Sequence, residues 1–536
     1  MPRAALLYAG PLLALLLSIA TVAYQRDRQR VGYTRYDLPN FDAYLYMTMA
    51  DEPAFFTAAP WGYRVLGPSL VHLFPPRARL VAFRELAFWS LVGCGVLLFF
   101  FLRRLGHGDA MALVGVAFFC LSRPVHLALG VPMLGEPLAV FLEIAALLAV
   151  ASGAGLLAVA AILGLGVLSK ELFLLLPGLV FFESRARDGW RRAFVATLKV
   201  AAPAAAALLL LRLWWTPQLR TPHAPLNLDL VRAGIEVLSA EWAYTSRALL
   251  LSGVTTLALL GAMCREARRY LSVYGYLALA CLALSLTAWV NVPSPVPVPL
   301  FAANTERLLL YALPLLIPLA LTALERVLRL APAVAAEAAR PPAKTLGLVS
   351  FAACGLVLAF PLFGVDRYRR HPLHEPRDGP LLMALCQESL RVARRIERGE
   401  EVVLDPLRLR FAWGIDDPGR LFEMRWFLRE GWGPLAHYGI DDVRMREARA
   451  ALLLPCLRPR DLMVTLELEV TATRSFEVLV NGTAVGRVAA LPERMAAALK
   501  VPAAALFRGD NLLTLSATDG SPGGVRLRSY RLRAAS

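Results

Sequence analysis

Long apolar blocks separated by short polar segments fill the first two thirds of the chain. An apolar run of about 20 residues, with a range of about 17–25, crosses a bilayer as an α-helix. The pattern therefore predicts a polytopic α-helical membrane protein with about eleven transmembrane helices in residues 1–365. The blocks are 5–24, 83–102, 110–129, 133–151, 155–168, 172–182, 194–213, 249–264, 271–290, 308–323 and 345–365.

Residues 155–182 decide the direction of the later crossings. They form either one long helix or two short ones broken at Ser169-Lys170-Glu171. A single helix would put the arginine cluster in 185–192 on the opposite side from every other basic loop, against the positive-inside rule. We therefore predict two short spans, which need local bilayer thinning or a re-entrant hairpin. The N-terminus is then inside and the C-terminus outside.

This topology puts every long loop on the outer face. The longest of them, residues 25–82, is called the first outer loop below. Lys170-Glu171 and the polar residues before the tenth span fall on the same side. The inner face receives mainly short basic turns. We therefore expect the protein to act at its outer face.

The pattern changes after residue 366 to that of a soluble domain. Residues 366–400 are predicted as a juxtamembrane linker, in which 381–398 is a basic amphipathic helix lying along the membrane surface. Strict alternation in 463–470 and 475–480 predicts β-strands, and Asn481-Gly482 suits a two-residue hairpin turn. Residues 401–536 are therefore predicted to be an all-β sandwich.

Composition excludes a nucleic-acid partner despite a net charge of +16. The arginines cluster in the short loops assigned to the inside, so the charge reports membrane topology. The chain is 57% hydrophobic, as a multi-pass membrane protein is. Cys386 and Cys456 are the two cysteines of the soluble part, and they form either a disulfide or two free thiols.

The first outer loop carries the candidate catalytic base. A carboxylate at the membrane edge, partly desolvated among aromatic residues, can accept a proton near neutral pH. Asp42 is the first candidate and Asp37 the second; the alternative is that both are solvated loop acids or helix caps. Tyr44, Tyr46 and Trp61 are candidates for stacking on sugar or holding lipid.

Other charged residues lie at the same predicted level of the membrane. Candidate ligands for a phosphate are Arg64, Lys170 and Arg307, and candidate cavity acids are Glu136, Glu171 and Glu306. Charges at membrane depth are costly and are usually functional or paired. The alternatives are headgroup contact for Arg64, a plain turn for Lys170-Glu171, and an arginine partner for Glu136. We find no pattern of metal ligands.

Taken in order, these pieces resemble the GT-C superfamily of membrane glycosyltransferases. The resemblance covers roughly residues 1–365. It rests on the acidic first outer loop, the sequence Tyr63-Arg64-Val65-Leu66-Gly67-Pro68, Glu136, Lys170-Glu171, and Glu306-Arg307 before Pro314. Residues 476–482 and 509–515, with Gly431-Trp432, are similar to galactose-binding-like jelly-roll domains, which often bind carbohydrate.

The resemblance implies inverting transfer of a sugar from a polyprenyl-phosphate-linked donor. The acceptor would be a glycan, lipid or protein of the cell envelope, and membrane lipid surrounds the enzyme. The expected location is a bacterial inner membrane, with the C-terminal domain in the periplasm. The first outer loop lacks an Asp-x-Asp pair, so no cofactor is assigned and a divalent metal stays an open alternative.

Two other functions stay open at this point. A transporter or flippase of lipid-linked sugar would show inverted repeats and mid-membrane charges. A non-catalytic membrane scaffold presenting a sugar-binding module would tolerate loss of the acids in the first outer loop.

Overall fold

The computed structural model divides the chain into two compact units. Unit 1 comprises Met1–Gly32, Tyr63–Leu210 and His223–Leu373, and unit 2 comprises Tyr33–Gly62, Leu211–Pro222 and His374–Ser536. The structure describes residues 3–28, 41–53, 61–215, 254–286, 307–328, 388–404, 411–413, 422–424, 427, 431–432, 443–445, 447–520 and 524–535.

The regular elements described in unit 1 are all helices. Its α-helices are α1 (Arg3–Arg28), α3 (Leu66–His72), α4 (Arg79–Leu105), α5 (Asp109–Cys120), α6 (Arg123–Gly130), α7 (Glu136–Ala151), α8 (Leu156–Val167), α9 (Pro177–Leu210), α10 (Val254–Ala262), α11 (Arg268–Leu286) and α12 (Leu313–Val327). Helix α9 is two helical segments that meet at Gly189, where the backbone is not helical (φ 76°, ψ 167°). Helix α2 (Phe41–Asp51) belongs to unit 2. Helix α7 lies at the centre, and all its residues except the last are buried.

Three helices in the described part of the chain are long and apolar enough to cross a membrane. They are Ala9–Asp27, Arg79–Leu105 and Arg187–Leu213, and the pair α5–α6 makes a fourth if its 45° bend lies within one span. The count of about eleven is therefore wrong for these residues. Several predicted blocks form shorter helices, such as the 16 residues of α7 and the 12 of α8. The block 345–365 lies outside the described residues.

Local breakers explain where the apolar blocks are divided. Pro124 stands at the first turn of α6 and so favours a new helix start at Arg123. Gly135 has φ +73°, a left-handed conformation that glycine adopts without strain, and α7 begins at the next residue. Helix α8 ends at Val167, and a 3-10 turn over Glu171–Leu174 precedes α9. The break predicted at Ser169-Lys170-Glu171 is thus present.

Unit 2 contains an all-β region with two main sheets. Its strands are β1 (Val402–Leu404), β2 (Phe411–Trp413), β3 (Phe422–Met424), β4 (Val443–Arg444), β5 (Arg449–Cys456), β6 (Leu462–Val470), β7 (Arg474–Val480), β8 (Thr483–Ala490), β9 (Glu493–Val501), β10 (Gly509–Ala517) and β11 (Val525–Ala534). One sheet has the order β1-β11-β6-β9 with β4 also on β11, and the other has the order β5-β10-β7-β8. All pairs are antiparallel, which is compatible with the predicted jelly roll.

The sandwich core follows from residue alternation. Along β6, Leu462, Val464, Leu466, Leu468 and Val470 are buried, while the residues between them are partly exposed. The β7–β8 hairpin turns at Asn481 and Gly482, which both have positive φ, as a type I′ turn requires.

Helix α13 (Glu388–Glu397) corrects one expectation. Its apolar residues Leu390, Val392, Ala393 and Ile396 are buried, and Val392 and Ile396 belong to the sandwich core. The apolar face expected to lie along the membrane is therefore covered by the β region.

Candidate functional site

Five charged side chains of unit 1 come together, and all five are among the residues singled out from the sequence. We call Arg64, Glu136, Lys170, Glu171 and Arg307 the charge cluster. Oε1 of Glu136 lies 3.4 Å from Nζ of Lys170 and 3.5 Å from Nη1 of Arg307. Nη2 of Arg64 lies 3.1 Å from Oε2 of Glu171. Four segments far apart in sequence therefore meet at one place.

Glu136 is the centre of the charge cluster because of where its helix begins. It is the first residue of α7, where the unpaired backbone N–H groups favour a negative charge. Its side chain is only 2% exposed. Burial of a carboxylate to this degree requires paired charges, which Lys170 and Arg307 supply.

Arg64 and Lys170 are held close together by the backbone. The N–H of Leu66 donates to the carbonyl of Leu168 at 3.1 Å, joining the segment after Arg64 to the segment before Lys170. Lys170 itself is extended, at φ −159° and ψ 140°, and Glu171 opens the 3-10 turn that follows. The predicted helix break thus places Glu171 beside Arg64 and Lys170 beside Glu136.

Tyr311 is a member of the site that the sequence reading missed. Nζ of Lys170 lies 5.5 Å from the centre of its ring, within the range of a cation–π interaction. The ring is fully buried in the 3-10 turn Leu309–Tyr311. A signal was present in the sequence, since Tyr311 follows Arg307 by about one helical turn.

The charge cluster carries a surplus of one positive charge, since three cations face two carboxylates. Among the described residues, Nε of Arg307, Oε2 of Glu136 and the hydroxyl of Tyr311 have no hydrogen-bond partner. Buried polar atoms usually have partners, so such groups call for an explanation. A bound anion that accepts from Arg307 and Tyr311 would provide one for these two donors, whereas Oε2 of Glu136 needs a donor.

The environment also changes the proton affinity of the Lys170-Glu171 pair. Burial, and next the guanidinium of Arg64, lower the pKa of Lys170 to about 8. Burial opposes ionisation of Glu171, but the guanidinium of Arg64 outweighs it and holds the pKa of that carboxyl below its usual value. Lys170 is thus a cation at neutral pH that loses its charge in mild alkali.

The other candidates in the first outer loop lie in its part 33–62, which belongs to unit 2, whereas Arg64 belongs to unit 1. Asp42 and Tyr44 lie in α2, and Trp61 is the first residue of a 3-10 turn. Only the backbone of these three residues is described. Tyr46 is 2% exposed, so its ring is buried. Asp37 and Glu306 lie outside the described residues. No group of three or more His, Cys, Asp or Glu residues suited to a metal occurs in the described ranges.

Comparisons with known proteins identify no family for this chain. No protein-family model matches it, and no curated protein matches it. Solved structures with local similarity include a GH26-CBM35 β-(1,4)-mannanase of Podospora anserina, with 14% identity over 26% of this chain and 28% of that one, at a TM-score of 0.18.

Two further similar structures are carbohydrate-binding modules. A CBM35 module of Cellvibrio japonicus has 16% identity, covering 26% of this chain and 95% of that one, at a TM-score of 0.17. A family 35 module of Clostridium thermocellum has 13% identity, covering 25% and 99%, at a TM-score of 0.16. TM-scores this low do not establish a common fold.

Proposed function

We propose that the protein transfers a sugar from a polyprenyl-phosphate-linked donor to a cell-envelope glycan, lipid or protein at the outer face of a bacterial inner membrane. The charge cluster is the observation that supports this most. It is a buried site with a surplus of positive charge and an arginine nitrogen that has no hydrogen-bond partner among the described residues. A phosphodiester carries one negative charge and acceptor oxygens only, which is complementary to such a site.

The three cations would hold the donor phosphate. Arg307 offers a planar guanidinium, which binds phosphate oxygens in pairs. Lys170 offers a compact charge whose direction is fixed by Glu136 and by the ring of Tyr311. As the glycosidic bond breaks, the leaving phosphate gains a second negative charge. Preorganised cations in a water-poor site stabilise such developing charge strongly.

The two carboxylates would keep the cations in position when no lipid is bound. Glu136 contacts both Lys170 and Arg307, and Glu171 contacts Arg64. Each pairing reduces the repulsion among the three cations, of which Lys170 is buried and Arg64 and Arg307 are partly buried. Glu136 and Glu171 would therefore act through the cations and not on the substrate.

Asp42 would take the proton from the acceptor hydroxyl, with Asp37 as the second candidate. The hydroxyl oxygen attacks the anomeric carbon, the bond from that carbon to the phosphate oxygen breaks, and the electron pair stays on the phosphate. A positioned base contributes about 10²–10⁴-fold to the rate of such a step. No metal is written into this scheme.

The test begins with a deletion strain. Mass spectrometry of its envelope glycans and lipids should reveal one lost sugar and one accumulated polyprenyl-phosphate sugar. Purified protein in detergent is then mixed with a lipid extract of that strain as donor and its glycan fraction as acceptor. Transfer in detergent supports an enzyme, because a flippase has no membrane to work across.

Two variants complete the experiment. Asp42→Asn should abolish transfer, and Asp51→Asn, a change of the same type at the end of the same helix, serves as the matched control. An Asp42→Asn protein that folds normally and restores the lost sugar would remove Asp42 from the base role and favour the scaffold alternative. Failure of the wild-type protein to transfer in detergent would favour the flippase.

A further inference from the structure

One ion pair within unit 2 joins residues that are far apart in sequence. Nη2 of Arg508 donates to Oε1 of Glu52. Arg508 lies between the 3-10 turn Ala503–Ala505 and strand β10, and Glu52 directly follows α2. The N–H of Glu52 also donates to the carbonyl of Thr48 at 2.9 Å, so Glu52 continues the hydrogen-bond pattern of the helix. The sandwich thus holds the C-terminal end of α2.

Helix α2 is covered on every side at this end. Residues 46–50 are all buried, with exposed fractions of 2% or less. Five consecutive residues exceed one helical turn of 3.6 residues, so they point in all directions around the helix axis. A helix in a plain surface loop would leave one face in water. This part of the first outer loop is therefore covered by other parts of the protein on every side.

The turn that presents Arg508 is fixed by a buried asparagine. Nδ2 of Asn511 donates to the carbonyls of Phe507 at 2.9 Å and Gly509 at 3.1 Å, and its Oδ1 accepts from the N–H of Phe507 at 2.9 Å. Nδ2 of Asn481, in the β7–β8 turn, also donates to Oδ1 of Asn511 at 2.8 Å. The backbone on both sides of Arg508 is thus tied to the sandwich.

Four aromatic residues in the described part of the sandwich belong to its interior. Phe427, Trp432, Phe476 and Tyr530 are buried, and Nε1 of Trp432 donates to the carbonyl of Ala451 at 2.7 Å. Trp432, which contributed to the resemblance with sugar-binding domains, is therefore a core residue. Its ring offers no face for a sugar.

We propose that the β-sandwich positions the first outer loop for catalysis, with Arg508 as the positioning residue that fixes α2 through Glu52. The inference rests on the proposed function, because that function assigns the base role to Asp42, which lies in the first turn of α2. The segment 33–62, which bears the base, is then a structural part of the same unit as the sandwich. Tilting of α2 would move Asp42 away from the acceptor hydroxyl, and misplacement by about 1 Å can cost about 10²-fold in rate.

Hydrogen exchange on the full-length protein in detergent tests the positioning without any substrate. Arg508→Glu removes the ion pair and places a second negative charge beside Glu52. We expect amide exchange at residues 46–50 to accelerate about fivefold, the range that one exposed ion pair supports. The double variant Glu52→Arg with Arg508→Glu, which swaps the two charges, should restore the wild-type rate of amide exchange. The inference would be overturned if amide exchange is unchanged in Arg508→Glu, or if the double variant does not restore the wild-type rate.

The matched control changes an arginine of the same sandwich. Arg528 pairs with Glu469 between strands β11 and β6, so Arg528→Glu makes the same charge change in the same domain. It should leave exchange at 46–50 unchanged. Acceleration of equal size in Arg528→Glu would mean that general loosening of the domain is responsible, and this too would overturn the inference.

Activity measurements separate this inference from the proposed function. Arg508→Glu should lower kcat by up to about fivefold, while KM for the donor stays within about twofold, because the donor phosphate is held by the charge cluster. An inactive Asp42→Asn beside a fully active Arg508→Glu would refute the positioning role alone. An active Asp42→Asn would refute the proposed base, whereas the exchange result would still stand.

Discussion

Under the proposed function, the charge on Lys170 should make donor binding depend on pH in a calculable way. With a pKa of about 8, about nine tenths of the Lys170 side chains are charged at pH 7 and about one tenth at pH 9. If the charged form holds the donor phosphate, affinity should fall about ninefold between these values. Lys170→Arg keeps its charge throughout, because the arginine pKa exceeds 12, so its affinity should stay flat.

The assay needs a lipid whose own charge does not change. A polyprenyl methyl phosphodiester carries one negative charge between pH 6 and 10, whereas a phosphate monoester would titrate within that range. Binding is measured in detergent at fixed ionic strength for wild type, Lys170→Arg and Lys170→Met. Equal pH dependence in wild type and Lys170→Arg would refute the assignment, as would a flat wild-type profile.

Stability should change in the opposite direction to affinity. The native pKa of Lys170 is lowered from 10.5, so between pH 8 and 10.5 the unfolded chain binds more protons at this group than the native state. The free energy of unfolding then rises with pH in this window, by up to about 3 kcal/mol. Wild type should therefore gain stability relative to Lys170→Arg while it loses affinity for the lipid. A general loss of structure in alkali would lower both quantities.

Three further predictions concern single side chains. Glu136→Gln should lower the apparent free energy of unfolding by about 3–5 kcal/mol, because it leaves Lys170 and Arg307 buried without their shared carboxylate; thermal unfolding in detergent measures this. Asn511→Ala should destabilise unit 2 by about 3 kcal/mol, since it removes the hydrogen bonds that hold the turn before β10; denaturant unfolding of the full chain measures this. Asp42→Asn should keep affinity for the phosphodiester lipid while transfer falls at least about 10²-fold; binding and turnover are compared on one preparation.

The first two of these predictions each have a control variant within the chain. Glu171→Gln changes a carboxylate that is a quarter exposed, so it should cost only about 1 kcal/mol. Thr483→Ala alters the exposed side of the β7–β8 turn and should leave stability nearly unchanged. If Glu136→Gln and Glu171→Gln lower the free energy of unfolding equally, burial of Glu136 does not account for its larger predicted effect. Loss of lipid affinity in Asp42→Asn would contradict the separation of base and phosphate site.

Local patterns in the sequence predicted the local structure well. Alternation over 463–470 predicted β6 (Leu462–Val470), and Asn481-Gly482 predicted the hairpin turn, because both depend on neighbouring residues alone. The number of spans was wrong for the described residues, because hydropathy averages over breakers such as Pro124 and Gly135. Helix α13 looked like a membrane-surface helix because its amphipathic pattern does not specify which surface covers it.

The charge cluster was partly predictable for a different reason. A charged residue inside an apolar stretch is costly, so Glu136 and Lys170 stood out individually, and topology put them at one level. Tyr311 did not stand out, because an aromatic residue in an apolar block is ordinary. The pairing of Glu52 with Arg508 was not predictable either, since nothing local links two residues that far apart.

The wide spacing of the charge cluster along the chain also sets the order in which the site is assembled. Glu136 is synthesised before both cations that neutralise it, and Arg307 follows roughly 10 to 35 s later at about 5–20 residues/s. Until the segment with Arg307 and Tyr311 arrives, the start of α7 must keep its carboxylate in contact with water or headgroups. The charge cluster therefore stays incomplete until the segment with Arg307 has been synthesised, and a nascent chain that stalls before that point lacks one of the two cations that pair with Glu136.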